Sequence, residues 1–301
     1  MKNLKYIFFG TPEFAAVILE ELIKAGFIPS AIICNPDKPV GRKKIITPPL
    51  TKILAEKYDI DILQPEILIN HKLDIINYKP DFFVVAAYSK ILPKEILDIP
   101  KLGAIGVHPS LLPKHRGSSP IQAAILNGDE QTGLTLYLMD EKMDHGPILI
   151  KQKLEFSINK NNFKFLILSQ KLAKLGADLL IKILPDFVLG KITPLPQDES
   201  QATYTKKFFI QDAYIEPTDL EKAQGSTNSL QEIQRLAVEI DRKIRALNPE
   251  PGIWTHTYKN TKLYEITKTE KRIKILEAIL TLDGKLKLKK IQIEGKKPII
   301  I

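Results

Sequence analysis

The chain has 301 residues, 44% of them hydrophobic and 26% charged, an ordinary balance for a globular protein with room for two domains. No apolar run reaches the roughly 20 residues of a membrane-spanning helix, and the lone cysteine, Cys34, excludes an internal disulfide and builds no metal site. The formal charge of +9 is unevenly spread: residues 257–301 carry twelve Lys/Arg against five Asp/Glu, and Asp37 to Lys52 hold five basic residues against one acid, which points to a large anionic partner such as nucleic acid.

At the N-terminus, Tyr6-Ile7-Phe8-Phe9 is too short for a signal-peptide core and reads as a first strand. A reducing, cytoplasmic setting fits a single thiol that closes an apolar run and reads as a small buried hydrophobe. Residues 4–9, 28–34, 81–87 and 104–107 read as continuous apolar strands, with a helix opening at Thr11-Pro12-Glu13 and Thr11 as its N-cap. Buried strands separated by helices predict a mostly parallel α/β sheet, with ligands beyond the carboxyl ends of its strands. A helix is expected over 162–184, followed by a polar linker punctuated by Pro185, Pro194 and Pro196. A second helix is expected over 229–247, with Leu230, Ile233, Leu236, Ala237, Ile240, Ile244 and Leu247 on one stripe and Asn248-Pro249 as its stop. The period then becomes two, through Leu263 with Ile266, Ile273/Ile275, Leu286/Leu288 and Ile291/Ile293, with turns at Gly284 and Gly295. Short alternating strands predict a small antiparallel barrel of the kind that binds nucleic acid. The expected plan is a catalytic domain over 1–190, a linker over 191–207 and a basic OB-like barrel domain over 208–301.

Three features point to the sheet's carboxyl edge: His108 at a strand end, the loop Ser110-Leu111-Leu112-Pro113, and Asp144 in "MDHGPIL". A lone histidine is more often structural, and an aspartate in a loop is more often a turn former. Together they offer a base with an orienting partner, or an imidazolium that stabilises developing negative charge. No G-x-G-x-x-G is present, so a dinucleotide is not expected. Trp254, beside Pro251-Gly252, reads as a packing anchor before a stacking platform.

The stretches "FFGTPEFA" (8–15), "NPDKPVGRKK" (35–44), "VVAAYSKILP" (84–93), "VHPSLLPKHRG" (107–117), "QTGLTLYLMD" (131–140), "MDHGPIL" (143–149), "ATYTKK" (202–207) and "IRALNPEPGIWT" (244–255) follow one another in order. In this the chain resembles the methionyl-tRNA formyltransferases, over essentially its whole length. The SLLP and D-x-G segments are shared with folate-dependent formyltransferases at large. The resemblance implies a Rossmann-like domain and an OB-like one. It implies transfer of a formyl group from 10-formyltetrahydrofolate to the α-amine of methionyl initiator tRNA, without a metal, by a cytoplasmic monomer. It implies His108 and Asp144 as catalytic residues. It implies Ser110, Leu111, Leu112 and Pro113, walled by Tyr88, Ile91 and Leu92, as the folate pocket. Arg42, with Lys43 and Lys44, is implied as the loop that meets the tRNA. One position departs: where the family has an asparagine whose amide serves the oxyanion, this chain has Gly106. Losing one such donor costs about 10²–10³ in rate. A water, His145 or Asn35 is a candidate substitute, and Gly106→Asn is expected to retain or raise the rate. A formyltransferase acting on a sugar-nucleotide amine, and a binding protein without turnover, remain as alternatives.

Overall fold

The computed structural model describes residues 4–41, 43–154, 163–259 and 262–301, and divides into two compact units. The first holds the described residues of Met1–Pro120, Gln131–Glu155 and Leu168–Thr205; the second holds those of Ile121–Glu130, Phe156–Ile167 and Lys206–Ile301.

In the first unit the strands are β1 (Tyr6–Gly10), β2 (Ala31–Ile33), β3 (Lys38–Val40), β4 (Ile45–Thr47), β5 (Asp61–Leu63), β6 (Phe82–Ala86), β7 (Ala104–His108), β8 (Arg116–Gly117), β9 (Gly133–Leu138), β10 (Ile148–Lys153) and β11 (Tyr204–Thr205). Seven form one sheet in the order β10-β9-β7-β6-β1-β2-β5, parallel from β5 through β7 and antiparallel at β9 and β10. Every residue of β1, β6 and β7 is buried. That is the pattern of strands covered on both faces, at about 1.5–3 kcal/mol for each large apolar side chain. The short pairs β3–β4 and β8–β11 stand outside this sheet.

Among the helices, α1 (Glu13–Lys24) begins one residue later than Thr11 predicts: its N-cap is Pro12, whose carbonyl takes the Ala16 N–H at 3.1 Å. The Thr11 hydroxyl instead accepts from the Asn35 backbone N–H at 3.1 Å and ties two loops together. Then follow α2 (Leu50–Lys57), α3 (Lys72–Asn77), α4 (Lys94–Leu97), α5 (Pro120–Asn127), whose residues from Ile121 onward belong to the second unit, and α6 (Phe165–Val188). The last runs straight through Pro185, where a break is expected. Proline removes one ladder bond there, but Ile183, Leu184 and Phe187 stay buried on one face and hold the last turn. Gly176 lets α6 lie close on the sheet: a β-carbon there would stand 2.9 Å from Leu134 and 3.1 Å from Val107.

The second unit contains α7 (Pro217–Ala223), α8 (Leu230–Leu247) and α9 (Lys262–Thr267), with strands β12 (Trp254–His256), β13 (Arg272–Leu280), β14 (Leu286–Ile293) and β15 (Ile299–Ile300). The strands form an antiparallel sheet in sequence order. Ser229 caps α8 by accepting the Glu232 N–H. Its buried stripe is Ile233, Leu236, Ala237, Ile240, Ile244 and Leu247; Leu230 is exposed, because at the first helical position it lies beyond the surface that α8 covers. Leu263 and Ile266 belong to a helix, not a strand, since a spacing of three fits a helical turn. The period-two segments do pair, Ile273 with Ile293 and Leu280 with Leu286.

Candidate active site

His108 is the last residue of β7, at the carboxyl end of the parallel strands, and its ring is almost fully buried. The chain turns at once: the Ser110 N–H reaches the His108 carbonyl, and the Ser110 hydroxyl donates to the Lys114 carbonyl at 2.5 Å. Thr135, opposite His108 on β9, clamps this loop with one oxygen. Its hydroxyl donates to the Ser110 carbonyl at 2.7 Å and accepts the Leu112 N–H at 3.1 Å. The loop returns the His115 carbonyl to within 2.8 Å of His108 Nε2. A carbonyl only accepts, so Nε2 carries the hydrogen and Nδ1 is the ring atom turned toward Asp144, 3.5 Å from Oδ2.

Asp144 lies between β9 and β10 with a left-handed backbone (φ 49°), a conformation that aspartate tolerates. Its carboxylate accepts two hydrogen bonds, Oδ2 from the Gly117 N–H at 2.7 Å and Oδ1 from the Tyr137 hydroxyl at 2.6 Å, while His108 Nδ1 faces Oδ2 at 3.5 Å. Its backbone carbonyl accepts from Gln197 Nε2 at 2.9 Å, as does that of Gly146 at 2.8 Å. Gln197 is fixed in turn by Arg116, a fully buried guanidinium that also reaches Glu199 at 2.5 and 2.9 Å and the Tyr204 hydroxyl at 3.2 Å. The hydrogen bonds from Arg116 hold the Glu199 carboxyl below its usual range. Burial, and then the Asp144 charge, push the Tyr137 phenol far above its ordinary value, so it stays protonated and donates.

Gly106 and Tyr137 are cross-strand partners on β7 and β9. A β-carbon at 106 would stand 2.5 Å from Tyr137 Cζ and 2.8 Å from its hydroxyl, and closer still to Cε1. The space beside Gly106 is therefore filled by a rigid, buried ring. This reverses the expectation for Gly106→Asn, which now calls for a penalty rather than a gain. The candidate substitutes are occupied elsewhere: Asn35 gives its amide to the Ser89 hydroxyl at 2.9 Å, and His145 sits between Asp140 at 2.6 Å and Glu199 at 3.6 Å.

The expected folate residues divide. Ser110 and Leu112 are fully buried and fasten the loop, with Leu112 packed on Tyr137 and Ile148; Leu111 is half-buried, and the Pro113 carbonyl accepts the Thr203 N–H. Leu92 lies in the core with Phe9 and Val85, whereas Ile91 is exposed. Tyr88 packs its edge on Phe9, and burial lifts its phenol to about 12. Among the described residues, Tyr88 Oη and Asn35 Oδ1 are buried atoms without a hydrogen-bond partner. Lys43 and Lys44 are exposed in the turn between β3 and β4; Arg42 lies outside the described residues. No group of three or more His, Cys, Asp or Glu side chains among the described residues is arranged to hold a metal ion, and no described helix is long and apolar enough to cross a membrane. Sequence reasoning missed Tyr137, Thr135, Arg116 and Gln197. Tyr137 alone had a signal, an aromatic in an apolar run near Asp144, but its facing Gly106 follows from an antiparallel register.

The family profile described as formyl transferase matches residues 3–184, and that described as formyl transferase, C-terminal domain, matches residues 232–301. A methionyl-tRNA formyltransferase of Caldicellulosiruptor saccharolyticus is 39% identical over 310 aligned residues, covering 96% of this chain and 92% of that one. One of a Geobacillus species is 44% identical over 254 residues, covering 84% and 74%. Among solved structures, an N-formyltransferase from Helicobacter canadensis, in complex with folinic acid and dTDP-3-aminofucose, superposes with a TM-score of 0.60 at 21% identity, over 93% of this chain and 88% of that one. HypX from Aquifex aeolicus superposes at 0.65 and 14% identity, over all of this chain and 48% of its own. At these identities the structural likeness speaks for the fold alone.

Proposed function

Because this chain belongs to the formyl transferase family, we propose that it moves the formyl group of 10-formyltetrahydrofolate to the α-amine of methionyl initiator tRNA. The observation that carries this is the 39% identity with a methionyl-tRNA formyltransferase over 96% of the chain. The α-amine's lone pair bonds to the formyl carbon and the carbonyl pair moves onto oxygen. Collapse then breaks the bond to the folate nitrogen N10, which takes up the proton that the amine gives up. Asp144, carboxylate toward His108, carries that proton between the two nitrogens. The His108 ring, fixed by the His115 carbonyl, stands beside the charge that forms.

The formyl donor, a substrate consumed at each turnover, lies along Ser110–Pro113, with Tyr88, Ile91 and Leu92 at its border. The unpartnered Tyr88 and Asn35 oxygens offer it polar contacts. Arg42, Lys43 and Lys44 meet the tRNA, and the basic segment 208–301 adds attraction for its phosphates. The protein works as a monomer in the cytoplasm. The deciding experiment supplies 10-formyltetrahydrofolate with either charged initiator tRNA or a dTDP-amino sugar and follows formyl transfer. Turnover with the tRNA is expected; turnover with the sugar alone replaces the substrate, and none with either leaves a binding protein.

A further inference from the structure

The residue that faces Gly106 has a use of its own. Tyr137 is 3% exposed, its ring lies against Gly106, and its hydroxyl is 2.6 Å from Asp144 Oδ1. The amide nitrogen of an asparagine stands about 2.4 Å from its own β-carbon; the Tyr137 oxygen lies 2.8 Å from where a β-carbon at 106 would be. A donor thus stands about as far from that point as an asparagine amide at 106 would, delivered from the neighbouring strand. Glycine is the complement of that tyrosine, since any larger residue at 106 strikes Cε1, Cζ and Oη together.

We propose that Tyr137 is a catalytic residue, and that its phenol donates the hydrogen bond that stabilises the oxyanion of formyl transfer. This rests on the reading of His108 and Asp144 as the reacting site. At rest the single phenolic hydrogen points to the Asp144 carboxylate. As the attacking amine gives its proton to Asp144, the carboxylate becomes a neutral acid and a weaker acceptor, while the formyl oxygen gains the electron pair of the broken C=O π bond. The phenolic hydrogen turns to the stronger acceptor by rotation about one C–O bond. When the C–N10 bond breaks, the oxygen reforms its carbonyl, Asp144 gives the proton to N10, and the phenol returns to the carboxylate. Each proton and electron pair is accounted for, and Tyr137 never ionises. Burial beside a carboxylate keeps it protonated.

The test measures kcat and KM for formylation of charged initiator tRNA, with thermal melting as the check on folding. The variants are Tyr137→Phe, Tyr137→Leu, Gly106→Asn and the double variant Gly106→Asn/Tyr137→Leu, with His108→Ala alongside. Tyr137→Phe keeps the ring and loses the donor; kcat is expected to fall about 100- to 1000-fold with KM little changed. Leucine removes all three colliding atoms, so the double variant restores an amide at position 106; it is expected to exceed Tyr137→Leu by at least about tenfold in kcat, while Gly106→Asn alone is impaired. If Tyr137→Phe stays within about threefold of the parent while His108→Ala is crippled, the site reading stands and the donor is wrong. If His108→Ala also turns over normally, the site itself is misassigned, and the donor with it. Should the phenylalanine variant fail to fold, the double variant decides: no gain over Tyr137→Leu overturns the proposal.

Discussion

The two units handle polar side chains in opposite ways. In the first, His108, Ser110, Thr135 and Arg116 are buried, and each meets a named protein partner: the His115 carbonyl, the Lys114 carbonyl, the Ser110 carbonyl and the Glu199 carboxylate. In the second, Lys274 stands exposed between buried Ile273 and Ile275, and Lys287 between buried Leu286 and Leu288, each pointing away from the core that α8 and the sheet enclose. Group transfer needs a few groups held to a fraction of an ångström, which takes burial and fixed partners. Holding a polyanion needs charge in roughly the right place, which water does not prevent. Single substitutions should therefore act steeply in the first unit and shallowly on the exposed face of the second.

Arg245 and Asp241 break this contrast, and testing them shows whether burial or location sets the size of an effect. They form an i,i+4 pair at 2.7 Å in the second unit, both nearly fully buried, with Arg245 also donating to the Phe163 carbonyl at 3.3 Å. Replacing Arg245 by Met leaves a buried carboxylate with no cation. The expected loss is about 3–5 kcal/mol of stability, read from chemical denaturation, with folate binding unaffected in whatever fraction stays folded. A loss below about 1 kcal/mol would mean that water reaches this pair and that depth in the second unit counts for less than it does around Arg116.

Next in size come His108→Ala and Asp144→Ala. Each is expected to cut kcat at least about 100-fold, near 2.7 kcal/mol, without loss of fold. Steady-state formylation paired with circular dichroism makes the comparison; normal turnover in a folded variant removes that residue from the mechanism. Asp144→Ala also strips the acceptor from Gly117 N–H and Tyr137, and His108→Ala strips the donor from the His115 carbonyl, so a modest drop in melting temperature should accompany each.

The legible parts of the molecule are those where local pattern equals outcome. Continuous apolar strands announce a covered parallel sheet, and β1, β6 and β7 are buried throughout, as expected. His108 and Asp144 show as residue types in suggestive places, and their 3.5 Å approach follows from two loops meeting at one sheet edge. Tyr137 was hidden because its meaning depends on register: shifted by one residue, the same tyrosine would face the other side of β9. Arg116 shows in the sequence only as one basic residue of the stretch 107–117, because its burial is created by Gln197, Glu199 and Tyr204, some 80 positions away. The misread helix at 262–267 and the unbroken α6 have one cause. Short-range rules weigh a proline or an alternation, while packing of the neighbouring apolar face decides the matter.

Arg42→Ala probes a middle case, a single charge assigned to contact with the substrate. On the sequence reading it meets the tRNA, so kcat/KM for charged tRNA should fall at least about tenfold, the loss of one charge-assisted bond at about 1.5 kcal/mol. Affinity for the folate donor should not move. Equal loss in both would detach this loop from the tRNA and make it part of the folate pocket.

The smallest effects belong to the exposed lysines of β13 and β14, and they sharpen the contrast most because their signature is not a rate. Lys274→Gln and Lys287→Gln remove charge from positions whose neighbours along each strand are buried, so packing should be untouched and melting unchanged. Each lysine that contacts phosphate releases about one condensed counterion on binding. The slope of log K against log salt for tRNA should therefore shrink by a little under one per substitution, and the pair should act additively. At low salt the affinity loss is modest for each, and near physiological salt smaller still. Formylation measured at saturating tRNA should stay level, because charge spread over a surface lowers the concentration needed and leaves the reacting groups where they are. A change in kcat for either variant would mean that these lysines help set the geometry of the bound substrate, and the division between a fixed site and a diffuse surface would have to be redrawn through β13 and β14.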